Sequence, residues 1–343
     1  LSFSHEISNL QGVEYLTNLK TLHFESSDLT TLDVSSLTEL EDLYLIARKL
    51  TSLDVSNNTK LKTLTCYGPL ETITFGDNTL LERFECNDTN ITSLDLSKFK
   101  DLNYLSCYRT PNLTTLTLGE HPQLSELYCI ESLDVSGCPN LQKLECNDCN
   151  ITSLNTSKNP ELQNFNCSNN KIQKLDLSMS SKLEGLSCDN NEIVSISLPK
   201  ESEIGGIICS NNKLTELDVS NFSQLNVLKC GDNNLKTLVL GESESFYELD
   251  CENNELTKID LSGYPNLNNL VCSNNKLSAL DFSNNHAITH LECANNSIDE
   301  LDLFNVGSVS TLICNGNNIK SLSLYGQFDL LKAYENSKPV VEG

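Results

Sequence analysis

Tryptophan is absent from this chain, methionine occurs once, and Lys and Arg together number 23 against 47 Asp and Glu, a net charge of -24. So little positive charge argues against nucleic-acid binding through the phosphate backbone, which needs clustered basic residues. It argues equally against docking on anionic lipid. The acidic surface favours solubility and a monomer. No apolar run approaches the roughly 20 residues of a membrane span, so no direct membrane insertion is expected. Also missing are a glycine-rich phosphate loop and any Ser or Cys nucleophile with a recognisable partner pattern. The five histidines are scattered: His5 in the N-terminal segment, His23 and His290 on strands, His121 and His286 in turns. The chain therefore reads as non-catalytic, with no cofactor and no metal. It opens at Leu1 without an initiator methionine or a signal peptide, as a processed or recombinant fragment would.

What is present is a period. Cys146, Cys167, Cys188, Cys209, Cys230, Cys251, Cys272, Cys293 and Cys314 recur at one fixed spacing, and Cys129, Cys107, Cys86 and Cys66 continue the column upstream with small irregularities. A strict period of this size means a solenoid. The stretch "LNNLVCSNNKLSALDFSNNHA" has the L-x-x-L-x-C-x-x-N-x-L run of a leucine-rich repeat, with Cys where the last strand residue is usually Leu. About fifteen copies run from Leu19 to near Leu330.

The period dictates the expected fold. The apolar positions flanking each cysteine alternate with polar ones, the mark of a short strand with one buried face. Successive coils stack their strands into a concave parallel β-sheet. The return half, "LDVS" or "LDLS", is too short and too rich in Gly, Pro and Ser for a helix, so extended or 3₁₀ pieces should form the convex side, with few or no α-helices. Residues 1–18 read as an N-terminal cap, 19–330 as the leucine-rich repeat domain and 331–343 as the remnant of a C-terminal cap.

At this point a resemblance can be stated. "ISNLQGVEYLTNLKTLHF", residues 7 to 24, resembles the opening segment of bacterial internalins, and the cysteine column is similar to their cysteine-ladder (internalin J type) branch. The resemblance implies an extracellular or cell-surface protein that binds host or neighbouring macromolecules without catalysis.

The cysteines are expected to pack. A disulfide ladder would need side chains that converge, whereas in-register parallel neighbours point the same way. A line of single thiols supplies no tetrahedral zinc cluster. Stepping back from Cys66 by one coil lands on Leu45 and by two on Phe24, so the slot demands apolar volume, which buried Cys can supply. Two cysteines lie off the column: Cys149 at the Asn position of "CNDCN", and Cys138 in the turn "SGCPN", where it is expected to be the exposed thiol. Asn170, Asn191, Asn212, Asn233, Asn254, Asn275, Asn296 and Asn317 form a second column, read as buried amides that satisfy turn backbone. The Asp of each "LDVS" has the chemistry of a turn former.

Binding specificity should lie on strand positions that point away from the core. There Tyr44, Tyr67, Arg83, Tyr104, Tyr108 and Tyr128 cluster, with Ile46 among them, Arg109 one place on and Arg48 in the adjoining turn. Half of the ten tyrosines and all three arginines fall between residues 44 and 128. Tyr and Arg are enriched at interface hot spots. The same stretch breaks the repeat: Ser27, Arg48, Pro69, Thr89 and Thr110 replace the column asparagine, and "CYGPL", "CYRTPNL" and "LYCIES" change its length. Rule-breaking of this kind marks either a functional site or repeats that have drifted. A secondary acidic patch, Glu248, Asp250 and Glu252 with Glu292 and His290 nearby, is either a cation or basic-partner site or a solvated face. Ile208, Val227, Val271 and Ile313 add a milder apolar trail. The expected partner is a protein or a glycoprotein or glycan ligand, of host origin in one reading. A spacer without its own ligand, and the targeting domain of a larger enzyme, remain as alternatives.

Overall fold

A computed structural model of the chain describes residues 2–3, 10–26, 28–128, 134–324 and 341–342. His5, Ser27, Cys129 and the shortened "CIES" turn lie outside the described residues. The protein is a parallel β-solenoid that divides into two compact units, Leu1–Leu162 and Gln163–Gly343.

In the first unit the strands Thr21–Ser26, Asp42–Ala47, Thr63–Tyr67, Arg83–Asn87, Tyr104–Ser106, Glu126–Tyr128 and Lys143–Glu145 each lie parallel to the next. Ser2–Phe3 pairs with His23–Phe24 at its start. The register places Phe24, Leu45, Cys66 and Cys86 in one row, all at 0–1 % exposure. One slot thus holds a ring, a leucine and thiols, which is the packing reading of the cysteine column. Among the described residues, fourteen cysteines are free thiols and buried. Burial pushes the Cys66 and Cys167 thiols far up and Cys209 and Cys293 to about 12, so none is a thiolate at neutral pH.

The second unit repeats the plan with Asn164–Asn166, Gly185–Ser187, Gly206–Ile208, Val227–Lys229, Glu248–Asp250, Asn269–Val271, His290–Glu292 and Thr311–Ile313. Here the asparagine column joins coil to coil. Asn191 Nδ2 donates to its own coil's Cys188 O at 3.1 Å and to Cys167 O of the coil before at 2.9 Å, while its Oδ1 accepts from Ile172 N at 3.0 Å. Asn212, Asn233, Asn254, Asn275, Asn296 and Asn317 repeat the pattern. The residue just before each sits in the left-handed region, as at Asn190 (φ 56) and Asn274 (φ 55). Asparagine tolerates that conformation better than most residues. The doubled "NN" is therefore two jobs, a backbone turn and a buried amide.

The return halves are extended, as expected, and pair in twos: Ser52–Asp54 with Thr72–Thr74 and Ser93–Asp95 with Thr115–Thr117 in the first unit, and Lys174–Asp176 with Ser195–Ser197, Glu216–Asp218 with Thr237–Val239, and Glu300–Asp302 with Ser321–Ser323 in the second. Among the described residues the one helical piece is the 3₁₀ turn Val13–Tyr15. The "LDVS" aspartates do form turns. Asp33, Asp54, Asp95, Asp134, Asp176, Asp218, Asp260 and Asp281 each accept the N–H of the serine two residues on, and Asp302 accepts from Phe304.

One expectation is corrected. Cys138 is fully buried, not exposed, and its thiol is pushed up to about 12 chiefly by that burial. It belongs to a third inward row at the centre of the turn, where two consecutive i→i+3 bonds (Cys138 N to Val135 O, Leu141 N to Cys138 O) aim the side chain into the core. In the first unit the same place holds Leu37, Asn58, Asn78, Phe99, His121 and Asn159, all buried. Where the residue is asparagine its amide reaches two backbone carbonyls, as Asn58 Nδ2 does to Val34 O and Leu37 O. Burial holds the His121 imidazole below the ordinary histidine range, hence neutral at pH 7.

Candidate functional site

Three rows of side chains leave the sheet face of the first unit. One runs Asp42, Thr63, Arg83, Tyr104, Glu126, Lys143. The next runs His23, Tyr44, Thr65, Glu85, Ser106, Tyr128, Glu145. The third holds Glu25, Ile46, Tyr67 and Asn87. The middle row is small at Thr65 and Ser106, which are nearly covered at 6 % and 5 % exposure. Contacts between neighbouring coils turn separate positions into one strip.

The strip can be followed residue by residue. His23 lies 5.6 Å from Tyr44, and Tyr44 lies 6.4 Å from Tyr67. The Tyr67 hydroxyl donates to Glu85 Oε2 at 3.3 Å, and Arg83 Nε donates to Glu85 Oε1 at 3.0 Å. The Arg83 guanidinium sits 3.5 Å over the Tyr104 ring, and Tyr104 and Tyr128 are 5.6 Å apart. Lys143 Nζ lies 5.1 Å over Tyr128 and 3.0 Å from Glu145. Each such cation–ring contact contributes about 0.5–2 kcal/mol and fixes a side chain that would otherwise lose rotamer freedom on binding. Burial raises the hydroxyls of Tyr44, Tyr104 and Tyr128 above the ordinary tyrosine range, so they remain donors.

Tyr108 and Arg109 stand at the rim, 52 % exposed in the first case, with the Arg109 guanidinium 5.3 Å over the Tyr108 ring and 4.0 Å from Asp88. Asn87 Oδ1 accepts from Tyr108 N and Ser106 Oγ, both at 2.8 Å, and so orders the chain there. Arg109 itself is left-handed (φ 53), in a row where Asp88 and the second unit's asparagines sit comfortably. Thr89 and Thr110 take the place of the column asparagine and donate to Cys86 O and Cys107 O, the bond within their own coil.

All seven expected anchors, Tyr44, Tyr67, Arg83, Tyr104, Tyr108, Arg109 and Tyr128, thus lie on one face or its rim. Sequence reasoning passed over His23, Glu85 and Lys143, which complete the strip. Their signal was present, since each occupies an outward strand position, but none is a tyrosine or arginine, the types that mark hot spots.

The acidic patch of the second unit is less of a centre. Lys229 Nζ lies 3.0 Å from Glu248, and His290 Nε2 lies 2.7 Å from Glu292. Asp250 and Glu252 are raised above the usual carboxylate range mainly by burial. Among the described residues no three His, Cys, Asp or Glu side chains converge as metal ligands. No described helix is long and apolar enough to cross a membrane.

No family model matches the chain, and no curated protein matches it by sequence. Solved structures do. The chain is similar to the functional domain of InlJ from Listeria monocytogenes, described as including a cysteine ladder, at 29 % identity and a TM-score of 0.63, over 88 % of this chain and 70 % of that one. A leucine-rich repeat protein of Leptospira interrogans matches at 18 % identity and a TM-score of 0.65, over 98 % and 93 %. An internalin (inlF) from Listeria monocytogenes matches at 21 % identity and 0.52, over 93 % and 84 %. The last two establish the fold alone. The chain is an internalin-like leucine-rich repeat protein.

Proposed function

We propose that the chain is a non-catalytic extracellular binding module that recognises a protein or glycoprotein through the sheet face of its first unit, with residues 1–18 and 331–343 capping the repeats of 19–330. The observation that carries this is the continuous strip from His23 to Lys143, where Tyr44, Tyr67, Arg83, Tyr104 and Tyr128 are held by rings, cations and carboxylates before any partner arrives, with Tyr108 and Arg109 at its rim. Pre-ordered aromatic and arginine side chains are what hot spots are made of. The acidic patch of the second unit serves as a solvated face. Cell-surface residence follows the likeness to the Listeria domain, and a protein partner follows the chemistry of the strip.

The test is a screen of the chain against arrays of extracellular proteins and glycans, repeated with the double variant Tyr104→Ala/Tyr108→Ala. Binding should fall at least about tenfold, equivalent to 1.4 kcal/mol, with the unfolding transition unchanged. Undiminished binding by the double variant removes this face from the account.

A further inference from the structure

Each cation of the strip is already held by a carboxylate. Arg83 donates from Nε to Glu85 Oε1 at 3.0 Å and brings a terminal nitrogen to 2.8 Å of the same oxygen. Lys143 lies 3.0 Å from Glu145, Arg109 at the rim lies 4.0 Å from Asp88, and even His23 has its Nε2 at 2.8 Å from Asp42. Where the strands begin, Lys20 and Lys62 share Glu41, at 2.7 Å and 3.9 Å. Arg48, in the turn beyond the strip, has no such partner among the described residues. The converse does not hold for the acids. Glu25 and Glu126 project from the same face, and among the described residues neither has a cation at ion-pair distance; Glu126 accepts the Tyr128 hydroxyl at 3.1 Å. The strip is therefore neutral pair by pair, with negative charge to spare, in a chain of net charge -24.

Glu85 decides what Arg83 can offer. Its side chain is 13 % exposed against 43 % for Arg83, so the carboxylate lies beneath and the guanidinium is the part a partner meets. The carboxylate takes one edge of the guanidinium, and the Tyr104 ring covers one face at 3.5 Å. A carboxylate, sulfate or phosphate binds arginine through its forked edge, and on this strip it would arrive beside an anion already in place. An aromatic or aliphatic group needs only the uncovered face of the guanidinium and the neighbouring rings. A cationic group can stack on the tyrosines and meet Glu25 or Glu126. Placing a like charge where the wrong partner would dock separates partners of similar shape.

We infer that the strip selects its partner by charge, accepting a basic protein surface of aromatic, aliphatic, Lys and Arg side chains and rejecting acidic, sulfated or phosphorylated ones, with Glu85 as the specificity-determining residue. This rests on the binding role proposed for the same face and specifies the partner. The field of the whole chain acts in the same sense, since it draws a basic partner in from a distance.

Three small aromatic probes, benzylamine, benzyl alcohol and phenyl phosphate, are titrated into the whole chain. Binding is followed by chemical-shift perturbation at the Arg83 Nε–H and at the Tyr104 and Tyr128 rings. Salt at about 0.5 M shortens the Debye length to about 4 Å, which screens the net charge of the chain and leaves the local pairing to be read. Phenyl phosphate should bind at least about tenfold more weakly than either of the other two. Glu85→Gln should raise its binding at Arg83 at least about tenfold, and Glu145→Gln should do the same at Lys143. Glu248→Gln, which frees Lys229 in the second unit, should leave the Arg83 signal as in the unaltered chain. The inference is overturned if phenyl phosphate binds the unaltered strip as tightly as benzyl alcohol, or if neither Glu85→Gln nor Glu145→Gln gains phosphate binding. If the probes behave as expected while capture on the array survives Tyr104→Ala/Tyr108→Ala, it is the proposed face that fails. If capture is lost in that variant but phenyl phosphate binds the unaltered strip, the face stands and selection by charge falls.

Discussion

At the scale of single residues, Arg109 is out of place for stability and well placed for contact. Its φ of 53° belongs to a row otherwise filled by Asp88, Asn190, Asn211 and their equivalents. A left-handed conformation costs an ordinary residue about 1–2 kcal/mol, and less for asparagine. Arg109→Asn should therefore raise the free energy of unfolding by about 1 kcal/mol in a urea titration while weakening ligand binding. A variant that loses stability would show that the guanidinium's contacts to Tyr108 and Asp88 outweigh the backbone strain. The opposite lesson comes from Cys138, where an apparently exposed thiol is core. Its row holds leucine, asparagine, phenylalanine, histidine and cysteine in successive coils. No composition rule identifies a row whose members share only a direction, and that is why it was invisible in the sequence.

At the scale of elements, the difference between the two units lies in how each coil is tied to the next. An asparagine of the second unit joins four backbone groups from two coils; a threonine of the first reaches one carbonyl of its own coil. Removing a buried hydrogen-bonding group and orphaning its partners costs about 1–3 kcal/mol per group. Asn233→Ala is expected to destabilise by about 3 kcal/mol or more and Thr110→Ala by about 1 kcal/mol, measured by chemical denaturation and by amide exchange in the adjoining coils. Equal costs would mean that the amide column is not what ties the coils. The strand period, the cysteine slot and the "LDVS" turns were legible in the sequence because one residue type recurs at one spacing. The pairing of return strands in twos was not, because paired and unpaired return halves carry the same "LD" pattern, as Glu216–Asp218 and Asp281 do. Nor was the strip's continuity, which depends on side-chain contacts between neighbouring coils.

At the scale of the whole molecule, the cysteine column is a uniform core element, and reactivity should be a property of the fold rather than of any one thiol. Every described cysteine is buried, and several are pushed up to about 12 or beyond, so the nucleophilic thiolate is scarce. A thiol reagent at neutral pH should label the described cysteines only as fast as the chain opens, in one cooperative phase on adding denaturant. Rapid labelling of most of them in the native protein would contradict the packing role. Function is then assigned to the irregular coils, where the solenoid gives up part of its hydrogen bonding and gains aromatic and arginine side chains at its surface. The most direct measurement compares ligand capture by Tyr104→Ala/Tyr108→Ala in the first unit with Glu248→Gln/Asp250→Asn in the second. A loss of at least about tenfold is expected for the first pair and no change for the second. Loss confined to the acidic pair would contradict it.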